Sequence, residues 1–280
     1  MRSKLVVPKT RIAPDAVGLE IAVAQLDSDQ AKSFESFWAM LDEQELPLYF
    51  RKRLDQNGLR AAVMASNPPS SFQELVQPRP INVDELGPME LQLHKTGRLE
   101  PKTRMVSHSR VSNREGQAHE IAISDIHPAV SWIIRSDERQ SPGSGELVRG
   151  TMSVTTYPQG DGSVRLVLRP KVHYGQARKR ISDSFLMESS QNVKTIDDLK
   201  LDITLRAGES VVIAPTQDVA EFGQVLFGIP EPLDPQQKLA DADESIQPRH
   251  RVLIIRLVQT QMDDLFSDAN YEKLTTTPRH

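Results

Sequence analysis

The stretch that most constrains this chain is "GTMSVTTYPQGDGSVRLVLRPKVHYG", Gly150 to Gly175. Its apolar side chains recur every second residue. Val164, Leu166 and Leu168 fall on one side, Arg165 and Arg169 on the other. That period belongs to a strand with one buried face. Two such strands flank Gly160-Asp161-Gly162, where glycine accepts the positive φ that a tight turn demands and aspartate tolerates it. The segment therefore reads as an antiparallel hairpin. Its apolar face requires a second packed layer from elsewhere in the chain.

Other segments offer that layer. "GLEIAVAQLD" reads as an opening strand at about residues 18–26, with Leu19, Ile21 and Val23 on one face and Ala22, Ala24 and Leu26 on the other. Both faces are apolar, so cover is expected on both sides. "TRMVSHSRV" and "QAHEIAIS" read as strands joined by the turn Asn113–Gly116. In "IDDLKLDITLRAGESVVIAP", Leu201, Ile203 and Leu205 alternate with polar residues, the chain turns at Gly208-Glu209, and Val211 to Ile213 return as a hairpin partner. "RVLIIRLVQ", Arg251–Gln259, is apolar on both faces except at Arg256.

Helical spacing is confined to the first third. Phe34, Phe37, Trp38 and Leu41 in "AKSFESFWAMLDEQ" recur as a helix face, and core packing accounts for such an aromatic stripe better than ligand binding does. "PLYFRKRLDQNGL" reads as a second helix, with Pro47 in its first turn and Asn57-Gly58 as its stop. Its Arg51-Lys52-Arg53 run reads as a solvated face. "LRAAVMAS" is expected as a short strand, "SSFQELV" as a short helix and Met89–His94 as a further strand. The helices span about residues 31–57.

The expected fold class is thus α+β: an N-terminal strand with two or three helices, then a β-rich, mostly antiparallel C-terminal half. A Pro- and Gly-rich middle suggests a division into an α/β portion, 1–100, a β-rich portion, 101–258, and a polar tail, 259–280. One continuous domain over 17–258 is the alternative.

Composition excludes several function classes. Without cysteine there is no disulfide, thiol nucleophile or Cys-ligated metal. A net charge of −4 gives no basic footprint for nucleic acid. No apolar run reaches the ~18 residues of a membrane helix, nor the roughly 7–15 of a signal peptide core.

Motifs for chemistry are equally sparse. Phosphate-binding Gly-rich loops are absent. His119-Glu120 begins like a zinc-protease helix but lacks the second histidine and alternates like a strand. His108, His119 and His127 have no ligand spacing that demands a metal, and the acid pairs Asp42-Glu43, Asp197-Asp198 and Asp263-Asp264 read as solvated. No G-x-S-x-G elbow supports a hydrolase. The basic cluster Gln176–Arg180 is short and set in an acidic chain. The expectation is a non-enzyme with no cofactor and no metal.

Taken in order, the β segments resemble the C-terminal β-domain of bacterial secretins, the outer-membrane ring proteins of secretion and pilus systems. Six stretches keep the order: "LEIAVAQL", "SRVSNREGQAHEIAI", the Asp-Gly pair of Gly150–Val172, "ITLRAGESVVIAP", "AEFGQVLFG" at Ala220–Gly228, and "RVLIIRLV". Agreement across elements carries the resemblance over roughly 17–258. Local turn chemistry and the resemblance together mark Gly58, Gly116, Asp161, Gly162, Gly208, Glu209 and Gly223 as structural turn residues. The Glu221-Phe222 pair stands where secretins usually carry proline, and 173–200 shows no lipid-facing alternation.

The resemblance implies a structural or assembly protein of the bacterial cell envelope, ring-forming in one version, with protein partners that include its own copies. Location would be the periplasm or outer membrane, or the cytoplasm for want of a signal peptide; membrane association stays open. A soluble monomeric interaction module is the alternative function, and a hydrolase the least supported. Met262, Leu265 and Phe266 form a small amphipathic patch in the tail, where a partner contact is expected.

Overall fold

The computed structural model describes residues 16–26, 34–68, 72, 106–136, 139–181, 187–216, 222–229 and 250–260. Eleven strands are laid out over them: β1 (Ala16–Leu26), β2 (Leu59–Met64), β3 (Val106–Arg114), β4 (Ala118–Ala122), β5 (His127–Arg135), β6 (Gln140–Pro158), β7 (Val164–Ile181), β8 (Met187–Thr195), β9 (Leu201–Leu205), β10 (Ser210–Pro215) and β11 (His250–Thr260). Two helices join them, α1 (Leu48–Asp55) and α2 (Phe222–Phe227).

Every pairing between these strands is antiparallel, and they form two sheets. One has five strands in the order β2-β10-β11-β1-β3. The other has six: β4 and β5 both flank β6, β6 pairs β7, and β8 and β9 both flank β7. The five-stranded sheet therefore takes strands from both sides of residue 100, with β1 between β11 and β3.

Alternation decides which face meets which. Leu19, Ile21 and Val23 of β1 join Leu253, Ile255 and Leu257 of β11 in one core with Leu166 and Leu168 of β7 and Ile203 and Leu205 of β9. This layer lies between the sheets and is the second layer that the β7 alternation required. The opposite residues of the five-stranded sheet, Ala22, Leu26, Val212, Val252 and Ile254, form a separate core with Phe34, Phe37, Trp38 and Phe72.

The aromatic stripe is thus packed, as its spacing predicts; among its described residues, 34–38 are helical and Leu41 lies beyond the helix. The chain then turns so that Asp42 can bridge to Val63. Arg60 lies under the stripe, its guanidinium carbon 4.3 Å from the Trp38 ring centroid, and is ion-paired to Glu35. Helix α1 occupies the predicted place and buries Phe50 and Leu54. Strand β2 matches "LRAAVMAS" in part. The expected helix at "SSFQELV", apart from Phe72, and the strand at Met89–His94 lie outside the described residues.

Two readings need correction. Strands β3 and β4 do not pair with each other: β3 belongs to the five-stranded sheet and β4 to the six-stranded one. Likewise β9 pairs β7 while β10 pairs β2 and β11, so "LRAGESVVIAP" is a corner between sheets and not a hairpin. A short turn between two alternating runs looks the same in both cases, because turn chemistry fixes a reversal of direction and not the hydrogen-bonding partner.

Candidate functional surface

The turn residues sit where these connections bend. Gly58, Gly116, Gly162 and Gly208 have φ of 71°, 70°, 83° and 89°. Asp161 accepts hydrogen bonds from the Ser163 amide at 3.0 Å and its hydroxyl at 2.6 Å, which closes the β6–β7 hairpin. At the β9–β10 corner the Gly208 amide donates to the Leu257 carbonyl at 2.7 Å, and the Glu209 carboxylate accepts from the Arg206 amide at 2.8 Å. Gly223 is not a turn residue: it lies in α2, packed against the Gly58 carbonyl with no room for a side chain. Met262, Leu265 and Phe266 lie outside the described residues.

A junction that sequence reasoning passed over gathers at Asn57, read there only as part of a helix stop. The buried Asn57 side chain donates to the carbonyls of Arg53 (2.8 Å) and Arg135 (2.7 Å) and accepts from the Arg135 amide (2.8 Å). Its own carbonyl accepts from Gly223 at 2.9 Å. One asparagine thereby ties α1, the end of β5 and α2 together.

A second junction holds β5 at its other end. The His127 side chain is buried, with the Val225 carbonyl as its hydrogen-bond partner, and its Nε2 has no partner. Burial pushes its pKa down. The Val225 carbonyl and Asp125 oppose that shift, and Arg251 adds to it. Arg251 is itself buried, donating to the Ile123 carbonyl at 2.8 Å and pairing with Asp125 at 2.5 Å. Nothing in the local sequence marks either residue, since both come from apolar strands.

The outer face of the six-stranded sheet is polar and mutually neutralised. Arg165 forms a two-point pair with Asp202, Arg169 approaches Asp197 at 3.5 Å, and Lys171 (3.0 Å) and His173 (2.5 Å) share Glu120. Partial burial pushes the Glu120 carboxyl up, but Lys171 and His173 outweigh it and hold it below its ordinary value. His108, His119 and His127 are distributed over β3, β4 and β5, and among the described residues no group of three or more histidines and acids is placed to hold a metal. The side chains of Arg178, Lys179 and Arg180 lie outside the described ones.

Enclosed space is scarce. A shallow depression of about 400 Å³ lies on the β5–β6 ribbon beside Ser131 and Gly145. A slot of about 190 Å³ lies between β3 and β4, floored by Ile21, Val23 and Ile121. Neither gathers the converging polar groups of a catalytic site.

What the geometry does supply is strand edges. Beyond the pair Arg149↔His173 the β6–β7 ladder stops; outward from it β6 pairs β5 and β7 pairs β8, as two ribbons. Among the described residues β5 and β8 are paired on one side only, on opposite sides of the sheet, and each is nine residues long. Among the described residues, strand β3 is the open edge of the five-stranded sheet. Its other edge is capped: Asp42 and Val63 exchange backbone hydrogen bonds at 3.0 and 2.9 Å, covering β2.

No family model matches the chain, and no curated protein matches it. Three solved structures show a distant likeness to it, each at 11% identity. The first is a chain of the Klebsiella pneumoniae type II secretion system outer membrane complex of PulD, PulS and the PulC HR domain, with a TM-score of 0.21. It covers 94% of this chain, which spans 42% of its length. The type II secretin GspD of enteropathogenic Escherichia coli has a TM-score of 0.22, covers 93% of this chain and is spanned to 70%. The secretin GspD of E. coli K12 has a TM-score of 0.20, covers 93% and is spanned to 51%.

Proposed function

We propose that this chain is a non-enzymatic assembly protein of the bacterial cell envelope, a secretin-like β-domain whose copies join through the edges of the six-stranded sheet into a ring. The observation that carries this is the pair of long edges on opposite sides of one sheet, β5 and β8. Unpaired backbone N–H and C=O groups on an edge are templates for another strand. Pairing one copy's β5 with the next copy's β8 uses two different surfaces. Such a head-to-tail contact closes into a ring when its rotation allows. The ordered series of β segments in the sequence, similar to that of secretins, supports the envelope setting.

The test is the absolute mass of the purified chain by light scattering, with and without mild detergent. A large discrete oligomer is expected. A monomer near 31.4 kDa in both conditions would sink autonomous ring assembly. It would favour the reading as a monomeric interaction module, which the separate open edge at β3 also supports.

A further inference from the structure

We infer that the β3 edge is a docking site for an extended peptide segment of a partner protein, one that alternates apolar and acidic residues. The inference is independent of ring assembly, because β3 lies in the other sheet.

The five-stranded sheet treats its two edges differently. At β2 the chain folds back to place Asp42 on Val63. At β3 the one such bridge among the described residues, Glu115 to Thr156, lies just past the strand's end, and earlier in the strand Ser107, His108, Ser109 and Arg110 are all exposed. Open edges invite strand addition, and proteins that do not use one usually blunt it.

The register of β3 on β1 determines what an added strand would meet. Ser107 and Ser109 stand opposite Val23 and Ile21 and point toward the space between the sheets. Both are small, and the slot beside them is lined by Ile21, Val23 and Ile121, with His119 and Glu120 of β4 along its far side, so that an acid would be disfavoured at the inward positions. Inward side chains of an added strand would lie along this slot, and burying apolar ones there would be favourable.

On the other face β3 presents His108, Arg110 and Arg114, opposite Ala22, Glu20 and Ala16. Glu20 is the one acid in this row. It is shared between Arg110 at 3.7 Å and Arg256 at 3.9 Å. The Arg110 side chain is 72% exposed. A surplus of positive charge therefore lines the outer face of the edge, and outward acidic residues complement it. Main-chain hydrogen bonds would supply the register and the alternating side chains the selectivity.

The probe is a synthetic peptide about eight residues long that alternates valine and glutamate, matched to the length of a typical edge strand. Two controls accompany it: a valine–lysine peptide, and a valine–glutamate peptide N-methylated along one edge. Binding is followed by fluorescence anisotropy, and backbone amides by NMR hydrogen exchange on the full chain. The acidic peptide is expected to bind and to slow exchange at Val106–Arg114. Arg110→Glu should weaken it about five- to tenfold, the scale expected of reversing an exposed ion pair. Equal binding of the lysine peptide, equal binding of the N-methylated peptide, or protection that spares β3 would each overturn the proposal. So would finding β3 amides already protected in a dimer that Arg110→Glu dissociates, since a second copy would then own the edge. A monomer that binds the acidic peptide at β3 would leave this inference standing while ring assembly failed.

Discussion

The two sheets solve the same packing problem differently. Through β10 and β11 the five-stranded sheet is buried on both faces: Ile254 and Ile255 of β11 are adjacent and both buried, one in each core. The six-stranded sheet packs one face into the shared core, and its other face carries the ladder of Arg165, Arg169, Lys171 and His173 with their acids, with Val167 and Thr155 buried among them. A residue's tolerance to change should therefore depend on its sheet and face more than on its strand. The sharpest test sets Ile255→Ala against Arg165→Ala. Ile255 is 0% exposed at the centre of the shared core, so its truncation should cost about 3–4 kcal/mol through lost burial and the cavity left behind. Arg165 is 48% exposed, and its loss should leave the melting temperature almost unmoved. Comparable losses in denaturant unfolding would break the comparison.

The connections differ as the sheets do. The β6–β7 turn closes a hairpin within one sheet, whereas the Gly208 turn carries the chain from one sheet to the other. Gly162 has φ of 83°, and its amide donates to the Gln159 carbonyl at 3.2 Å. Gly162→Val forces a β-branched residue into that region and should cost roughly 1–2 kcal/mol. An unchanged urea midpoint would mean that the turn relaxes at no cost, and that the hairpin is held by its strands alone.

Much of this contrast was legible in the sequence. Strands buried on both faces read as unbroken apolar runs, as β1 and β11 do, and a strand buried on one face alternates, as β7 does. Element type followed from period. Pairing did not, because the apolar pattern of β3, β4, β9 and β10 says nothing of which neighbour supplies the hydrogen bonds. The candidate surface was less legible still. An edge is a property of sheet order, so "SHSRV" reads as an ordinary strand until β1 is known to be its one strand partner among the described residues. Asn57, His127 and Arg251 escaped for a related reason: each acts through backbone groups of residues far along the chain, such as Arg135, Val225 and Ile123.

The smallest predicted effect concerns the junction between the sheets, where His127 stands beside Arg251 and Asp125. Burial lowers the folded-state pKa of His127 below the ordinary histidine value of about 6.5, with the Arg251 charge contributing in the same direction. The unfolded chain then binds the proton more readily than the folded one. The neutral histidine's contribution is complete above the unfolded value and is lost as pH falls below about 6.5 toward the folded value. His127→Asn keeps an N–H donor at the place of Nδ1, the ring nitrogen left to face the Val225 carbonyl since Nε2 has no partner, but cannot titrate. The variant is expected to be less stable than the parent at about pH 7.5, where it loses the packed ring, and the gap should narrow toward about pH 5 as the parent gives up its own advantage. Urea unfolding of both proteins across that range checks it, since groups common to the two cancel in the difference. A gap that stays constant with pH would show that His127 is accommodated as well charged as neutral. A gap that widens in acid would mean that the Asp125 carboxylate dominates the site and that burial is the lesser influence.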